Sequence, residues 1–131
     1  MPIYANGVPV ESPSSPPEPP VTVVTVNIGV GTGQRTVLVV VSTGDGAPIS
    51  DASVEIAAVT SVTLVDLVVE EVDGALVGWV PGISGDNPLV TIRGRTNADG
   101  RLTVRMVLPD IVLIGDVVAT VGQATGIAPG G

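Results

Sequence analysis

From Val21 onward, short runs rich in valine, threonine and isoleucine alternate with clusters of Gly, Pro, Asp, Asn and Ser, the punctuation of strands and turns. VTVVTVNI (21–28) predicts a strand, GVGTGQ (29–34) a loop, and RTVLVVVS (35–42) a strand too apolar to keep one face wet. TGDGAPISDA (43–52) is dense in turn residues. In SVEIAAV (53–59), Val54 and Ile56 alternate with Ser53 and Glu55, the period of a half-buried strand. VTLVDLVVEEV (62–72) predicts another strand, ended by the tight-turn dipeptide Asp73 and Gly74. ALVGWV (75–80) then runs into the turn chemistry of PGISGDNP (81–88).

LVTIRGR (89–95), the loop TNADG and RLTVRMVLP (101–109) read as a hairpin. Leu102, Val104, Met106 and Leu108 alternate with Arg101, Thr103 and Arg105, one face for a core and one for water. DIVLI (110–114) and DVVATVG (116–122) predict the closing strands, and QATGIAPGG (123–131) a flexible C-terminal tail. Seven or eight short strands, with turn signals every ~8–12 residues, predict an all-β sandwich. The apolar run within 53–72 is long enough for a helix, but its valines and threonines argue against one.

The first twenty residues, MPIYANGVPVESPSSPPEPP, break this pattern with seven prolines. Their composition predicts an extended polyproline arm reaching up to ~60 Å at ~3.1 Å per residue. The expected organisation is therefore an arm (1–20), one sandwich (21–122) and a tail (123–131). Domains that read PxxP segments usually want a neighbouring Arg or Lys, and the arm has none. PPEPP thus reads as a spacer, and Ile3, Tyr4, Val8 and Val10 as residues that grip a partner.

Composition narrows the function. Hydrophobic residues make up 44% and aromatics 2%, so the core must be built from small branched side chains, chiefly valine. The net charge of −8 argues against nucleic acid, whose phosphates demand a basic face. No apolar run reaches the ~20 residues of a membrane-crossing helix, and the start lacks the basic residue of a secretory signal. Without histidine or cysteine, the commonest bases, nucleophiles and transition-metal ligands are missing. Glu70 and Glu71, adjacent on a strand, point to opposite faces and cannot work as a carboxylate pair. The chain is thus expected to be no enzyme and to need no cofactor. GVGTG lacks the Gly-Lys-Ser/Thr ending of a phosphate loop and reads as a strand connection. Asp45, Asp51, Asp73, Asp86, Asn97 and Asp99 sit in turns and could offer oxygens to calcium. They lack a D-x-D-x-D-G spacing, and turns favour these residues for backbone reasons alone, so no metal is expected.

Charge is unevenly spread. Residues 93–105 carry four arginines against Asp99, a balance of +3, and the rest carries Arg35 against twelve acids, −11, which together give −8. In a hairpin, Arg93, Arg95, Arg101 and Arg105 would share one polar face. That face is either solvated, with cross-strand pairs to neighbouring acids, or a ridge that docks on an acidic partner surface, a second copy included. The surplus of apolar residues at 37–41 and in DIVLI likewise suits either a subunit interface or a central strand covered by the molecule's own loops.

Two stretches resemble the bacterial immunoglobulin-like domains of invasin-type adhesins and phage virion proteins. In GAPISDASVEI, Gly46, Pro48, Ile49, Ala52 and Val54 are similar to that family's turn into a strand. TNADGRLTVRM (96–106) is similar to its hairpin, with GDVVATV (115–121) as the last strand. Carboxypeptidase regulatory-like sandwiches share much of the pattern. The resemblance implies an immunoglobulin-like Greek-key sandwich and a role in binding rather than catalysis. The leading expectation is a virion structural protein, a capsid decoration (cement) protein made in the host cytoplasm. It would sit on the virion surface as a homo-oligomer, with the major capsid protein or other virion subunits as partners and no nucleic acid or membrane. A secreted adhesin or surface-layer module at the cell surface is the alternative, though Met1 opens no export signal. A carbohydrate-binding accessory domain comes third, having only Trp79 and Tyr4 to stack on sugars.

Overall fold

The computed structural model describes residues 21–130. They form nine strands, one or two more than the turn spacing predicts: β1 (Thr22–Gly31), β2 (Gln34–Thr43), β3 (Ser53–Val59), β4 (Val68–Asp73), β5 (Ala75–Ser84), β6 (Asn87–Arg95), β7 (Arg101–Val107), β8 (Asp116–Val121) and β9 (Ala124–Pro129). All pairing is antiparallel, in a four-stranded sheet ordered β1-β2-β7-β4 and a five-stranded sheet ordered β5-β6-β3-β8-β9. The all-β, two-sheet expectation holds, as in a β-sandwich. Ile3, Tyr4, Val8 and Val10 lie outside the described residues.

Alternation builds the core between the sheets. Val37, Val39 and Val41 of β2 and Leu102, Val104 and Met106 of β7 are fully enclosed, facing Ile56 and Ala58 of β3, Val90 and Ile92 of β6, and Ala119 of β8. Valine's two γ-methyls on a stiff χ1 fill this space without aromatic bulk. On the other face of β2, Val40 lies between Thr25 and Arg101, and Leu38 between Asn27 and Thr103. Both are half-buried between these neighbours, on a strand that is central in its sheet.

The largest departure from the sequence pattern concerns residues 89–109. β6 and β7 do not pair: β6 lies between β5 and β3, and β7 between β2 and β4. TNADG is therefore an arch that carries the chain from one sheet to the other. Both strands alternate toward the same core from opposite sides, a pattern indistinguishable from that of a hairpin. Asp73 and Gly74 behave in the same way, linking β4 of one sheet to β5 of the other.

Other boundaries move for local reasons. In GVGTGQ the ladder runs on to Gly31 and restarts at Gln34, leaving Thr32 and Gly33 (φ 68°) as the turn. PGIS continues β5, and the turn is only Gly85 and Asp86. Pro81 is tolerated because β5 is an edge strand. Only Val68–Asp73 of the predicted strand at 62–72 is extended in a sheet, while Leu64 and Leu67 fold against the core from the preceding loop. DIVLI forms no strand: Pro109 cannot donate to a ladder, Asp110 turns left-handed (φ 60°), and Ile111 and Leu113 plug the end of the core. The expected tail is instead strand β9, paired with β8. Its Gly126 meets the Val24 carbonyl, an approach that any side chain would block, which is why this strand lacks β-branched bulk there.

The two stretches singled out by resemblance pack on each other at one pole. Ile49 N donates to the Val41 carbonyl (3.0 Å), and Val41 N to that of Gly100 (2.7 Å). Thr96 Oγ1 accepts from Ala52 N (2.8 Å) and donates to the Ile49 carbonyl (2.7 Å).

Candidate interaction surface

The four arginines of residues 93–105 do not form one ridge. Arg93 and Arg95 project from β6 of the five-stranded sheet, and Arg101 and Arg105 from β7 of the four-stranded sheet. Arg93 Nη2 lies 3.6 Å from Glu55 Oε2, its register partner on β3. Arg105 Nη1 lies 3.4 Å from Glu70 Oε1, its partner on β4, and Arg95 Nη1 lies 3.6 Å from Asp51 Oδ1. Arg101 forms no ion pair among the described residues. The solvated-face reading, with acids on a neighbouring strand, describes Arg93 and Arg105, while the acid beside Arg95 lies in the turn before β3. Such exposed pairs contribute about 0–1 kcal/mol each. A double-mutant cycle with Glu55→Gln and Arg93→Gln is accordingly expected to show a coupling no larger than about 1 kcal/mol in urea unfolding, and a smaller one at high salt.

Arg35, which the sequence shows only as a stray cation, is buried beside the β1–β2 turn. Its Nη1 donates to the carbonyls of Gly31 (2.8 Å) and Gln34 (2.7 Å), which secures that turn. A cleft of about 670 Å³ opens beside it, walled by Gly31, Gly33, Pro109, Asp110 and Ile111. The turn acids do not converge: no group of three or more acidic residues able to hold a metal ion occurs among the described residues. Asn97 instead serves its own loop, its Oδ1 accepting from Asp99 N (2.9 Å) and Arg101 N (3.0 Å).

The apolar surface lies elsewhere. Val65 (86% exposed), Val68, Val72, Val77, Val80 and Ile83 (77%) are all exposed, and all belong to the 61–67 connection, β4 or β5. β4 and β5 are edge strands of their sheets, joined by Gly74. Trp79, Pro81 and Ile83 share the core-directed face of β5, opposite Ile92, Val90 and Pro88 of β6. Toward the β5–β6 turn that face loses its cover, and Pro81 and Ile83 are exposed. The result is a groove of about 330 Å³ between the hairpin end and the 61–67 connection, lined by Leu64, Val65, Pro81, Ile83 and Pro88, with Asp86 its single charged side chain.

The edges beside this surface are poor templates for adding a strand. The Glu71 carboxylate accepts from Leu76 N (2.7 Å), the β5 ladder shifts register between Leu76 and Gly78, and Pro81 removes a donor. Binding here must therefore use side chains rather than a backbone ladder. Sequence reasoning missed the surface because 81–88 reads as a turn, which hides Pro81 and Ile83. The available signal was the uncharged, mostly apolar run ALVGWV from Ala75 to Val80. Comparison with family models, with curated proteins and with solved structures finds no match to this chain.

Proposed function

We propose that this chain is a non-enzymatic structural protein of a virus or phage particle, an immunoglobulin-like decoration subunit that binds the shell as an oligomer. The observation that carries the proposal is that six of the eleven exposed large aliphatic side chains among the described residues fall within residues 65–83, along two edge strands and the loop before them, on a strongly acidic molecule, the mark of a region made to be covered. The strand orders support the immunoglobulin-like part. β1-β2-β7-β4 corresponds to the A-B-E-D sheet of such folds, and β9-β8-β3-β6-β5 to G-F-C extended by two further strands, as in variable-type domains. The chain departs in visiting β4, the D position, before β5 and β6. The partner is the major capsid protein or another virion subunit, met at the virion surface.

The test is co-sedimentation of the full chain with shells assembled from candidate major capsid proteins. Binding at a fixed copy number is expected, weakened by Val65→Asp or Ile83→Asp while the Tm stays at the wild-type value. A protein that binds no shell and stays monomeric at all concentrations would overturn the reading.

A further inference from the structure

The geometry points to residues 3–10 of one copy as the occupant of the groove on the next, a head-to-tail contact that deepens, and rests on, the oligomeric reading above. Groove and arm attachment lie at opposite poles. β6 starts at Asn87, beside the groove, and ends at Arg95, next to the 96–100 arch. β1 starts at that far pole: Thr22 pairs with Thr43, and Val41 N is bonded to the Gly100 carbonyl. The separation is the length of a nine-residue strand, about 30 Å at ~3.3 Å per residue.

Twenty residues precede Val21. Residues 11–20, with five prolines, reach at most about 31 Å at the polyproline spacing. To fill the groove of its own copy, such a segment would have to reverse at Val21 and then use its whole length running back along the molecule. PPEPP, placed directly before Val21, opposes that reversal, because each proline fixes φ and restricts the residue before it. A segment that leaves in line with β1 instead moves away from its own groove and toward the groove pole of a copy stacked head to tail beyond the arch.

Chemistry selects the segment. Residues 3–10 carry Ile3, Tyr4, Val8 and Val10 and no charge, and both acids of the arm, Glu11 and Glu18, fall within the spacer. The groove is apolar, with Asp86 as its one charge, so it accepts a neutral apolar stretch and repels the acidic one. A heterologous contact of this kind closes into a ring or grows into a filament, depending on the rotation between copies.

The experiment mixes two full-length variants, Ile83→Asp, with a spoiled groove and an intact arm, and Tyr4→Asp, with the reverse. Each alone is expected to lose self-association by about thirtyfold or more, the effect of spoiling a buried anchor. Their equimolar mixture is expected to give a dimer and nothing larger in sedimentation velocity, since one good arm meets one good groove. Val65→Asp provides a second groove variant if Ile83→Asp alters the far-ultraviolet circular dichroism. A peptide of residues 1–12, titrated onto the full chain, is expected to shift Trp79 fluorescence saturably and to dissociate the oligomer. A mixture that stays monomeric, or single variants that assemble like the wild type, overturns the inference. Single variants that assemble like the wild type, while the wild-type chain binds shells, overturn the arm contact and leave the decoration reading standing. Arm-dependent assembly without any shell binding does the opposite.

Discussion

Gly74→Ala is expected to destabilise the domain by about 3–5 kcal/mol, a large share of the about 5–15 kcal/mol by which folded proteins are typically stable. Two effects add. Gly74 sits at φ 79°, where an L side chain costs roughly 1–2 kcal/mol. A Cβ there would also lie 2.6 Å from the Arg95 carbonyl oxygen and 2.8 Å from that of Arg101. Both obstacles are backbone at the two feet of the 96–100 arch, so neither can swing aside as a side-chain tip would. Gly85→Ala separates the two contributions: its φ is 62°, but no heavy atom lies within 4 Å of its added Cβ. That variant should lose only about 1 kcal/mol. Urea midpoints at unchanged m measure both, and equal losses would show that the arch leaves room beside Gly74.

The contrast between these glycines shows what the sequence could and could not disclose. A two-fold period reports which residues face a core but not which sheet they belong to. Residues 101–107 were therefore legible as a strand with Leu102, Val104 and Met106 inward, whereas the pairing of β7 with β2 and β4 instead of β6 was not. SVEIAAV shows alternation and its boundaries together, and β3 spans the predicted residues, 53–59. QATGIAPGG reads as a tail by its position at the end of the sequence, and the glycine and small residues within it give no strand signal against that. Their use appears only once Gly126 is placed against Val24, a contact between residues about a hundred positions apart. The same blindness split the arginine face, because the expectation of one ridge depended wholly on the hairpin. The apolar surface was half visible: uncharged aliphatics mark β5, but the cover they lack is set by where the opposing sheet stops.

Thr96→Val carries the second large effect, expected at about 2–5 kcal/mol. Thr96 is buried, and its hydroxyl both accepts from Ala52 N and donates to the Ile49 carbonyl. Its backbone adds two more links to the same turn, from Thr96 N to the Ala52 carbonyl (3.1 Å) and from Asp51 N to the Thr96 carbonyl (2.9 Å). Valine matches threonine in shape, so packing is preserved while both hydroxyl bonds disappear. The Ala52 donor and the Ile49 acceptor then lose their partner, at about 1–3 kcal/mol for each group left unsatisfied. Thr96→Ser keeps the hydroxyl and removes one buried methyl, a loss of about 1 kcal/mol. The expected order of urea midpoints is therefore wild type, then Thr96→Ser, then Thr96→Val. Amide exchange at Asp51 and Ala52 should accelerate in the valine variant beyond what global unfolding accounts for, because those donors depend on the position of Thr96. A valine variant as stable as the serine variant would mean that packing alone docks GAPISDA on the TNADG arch, with the hydroxyl as a bystander.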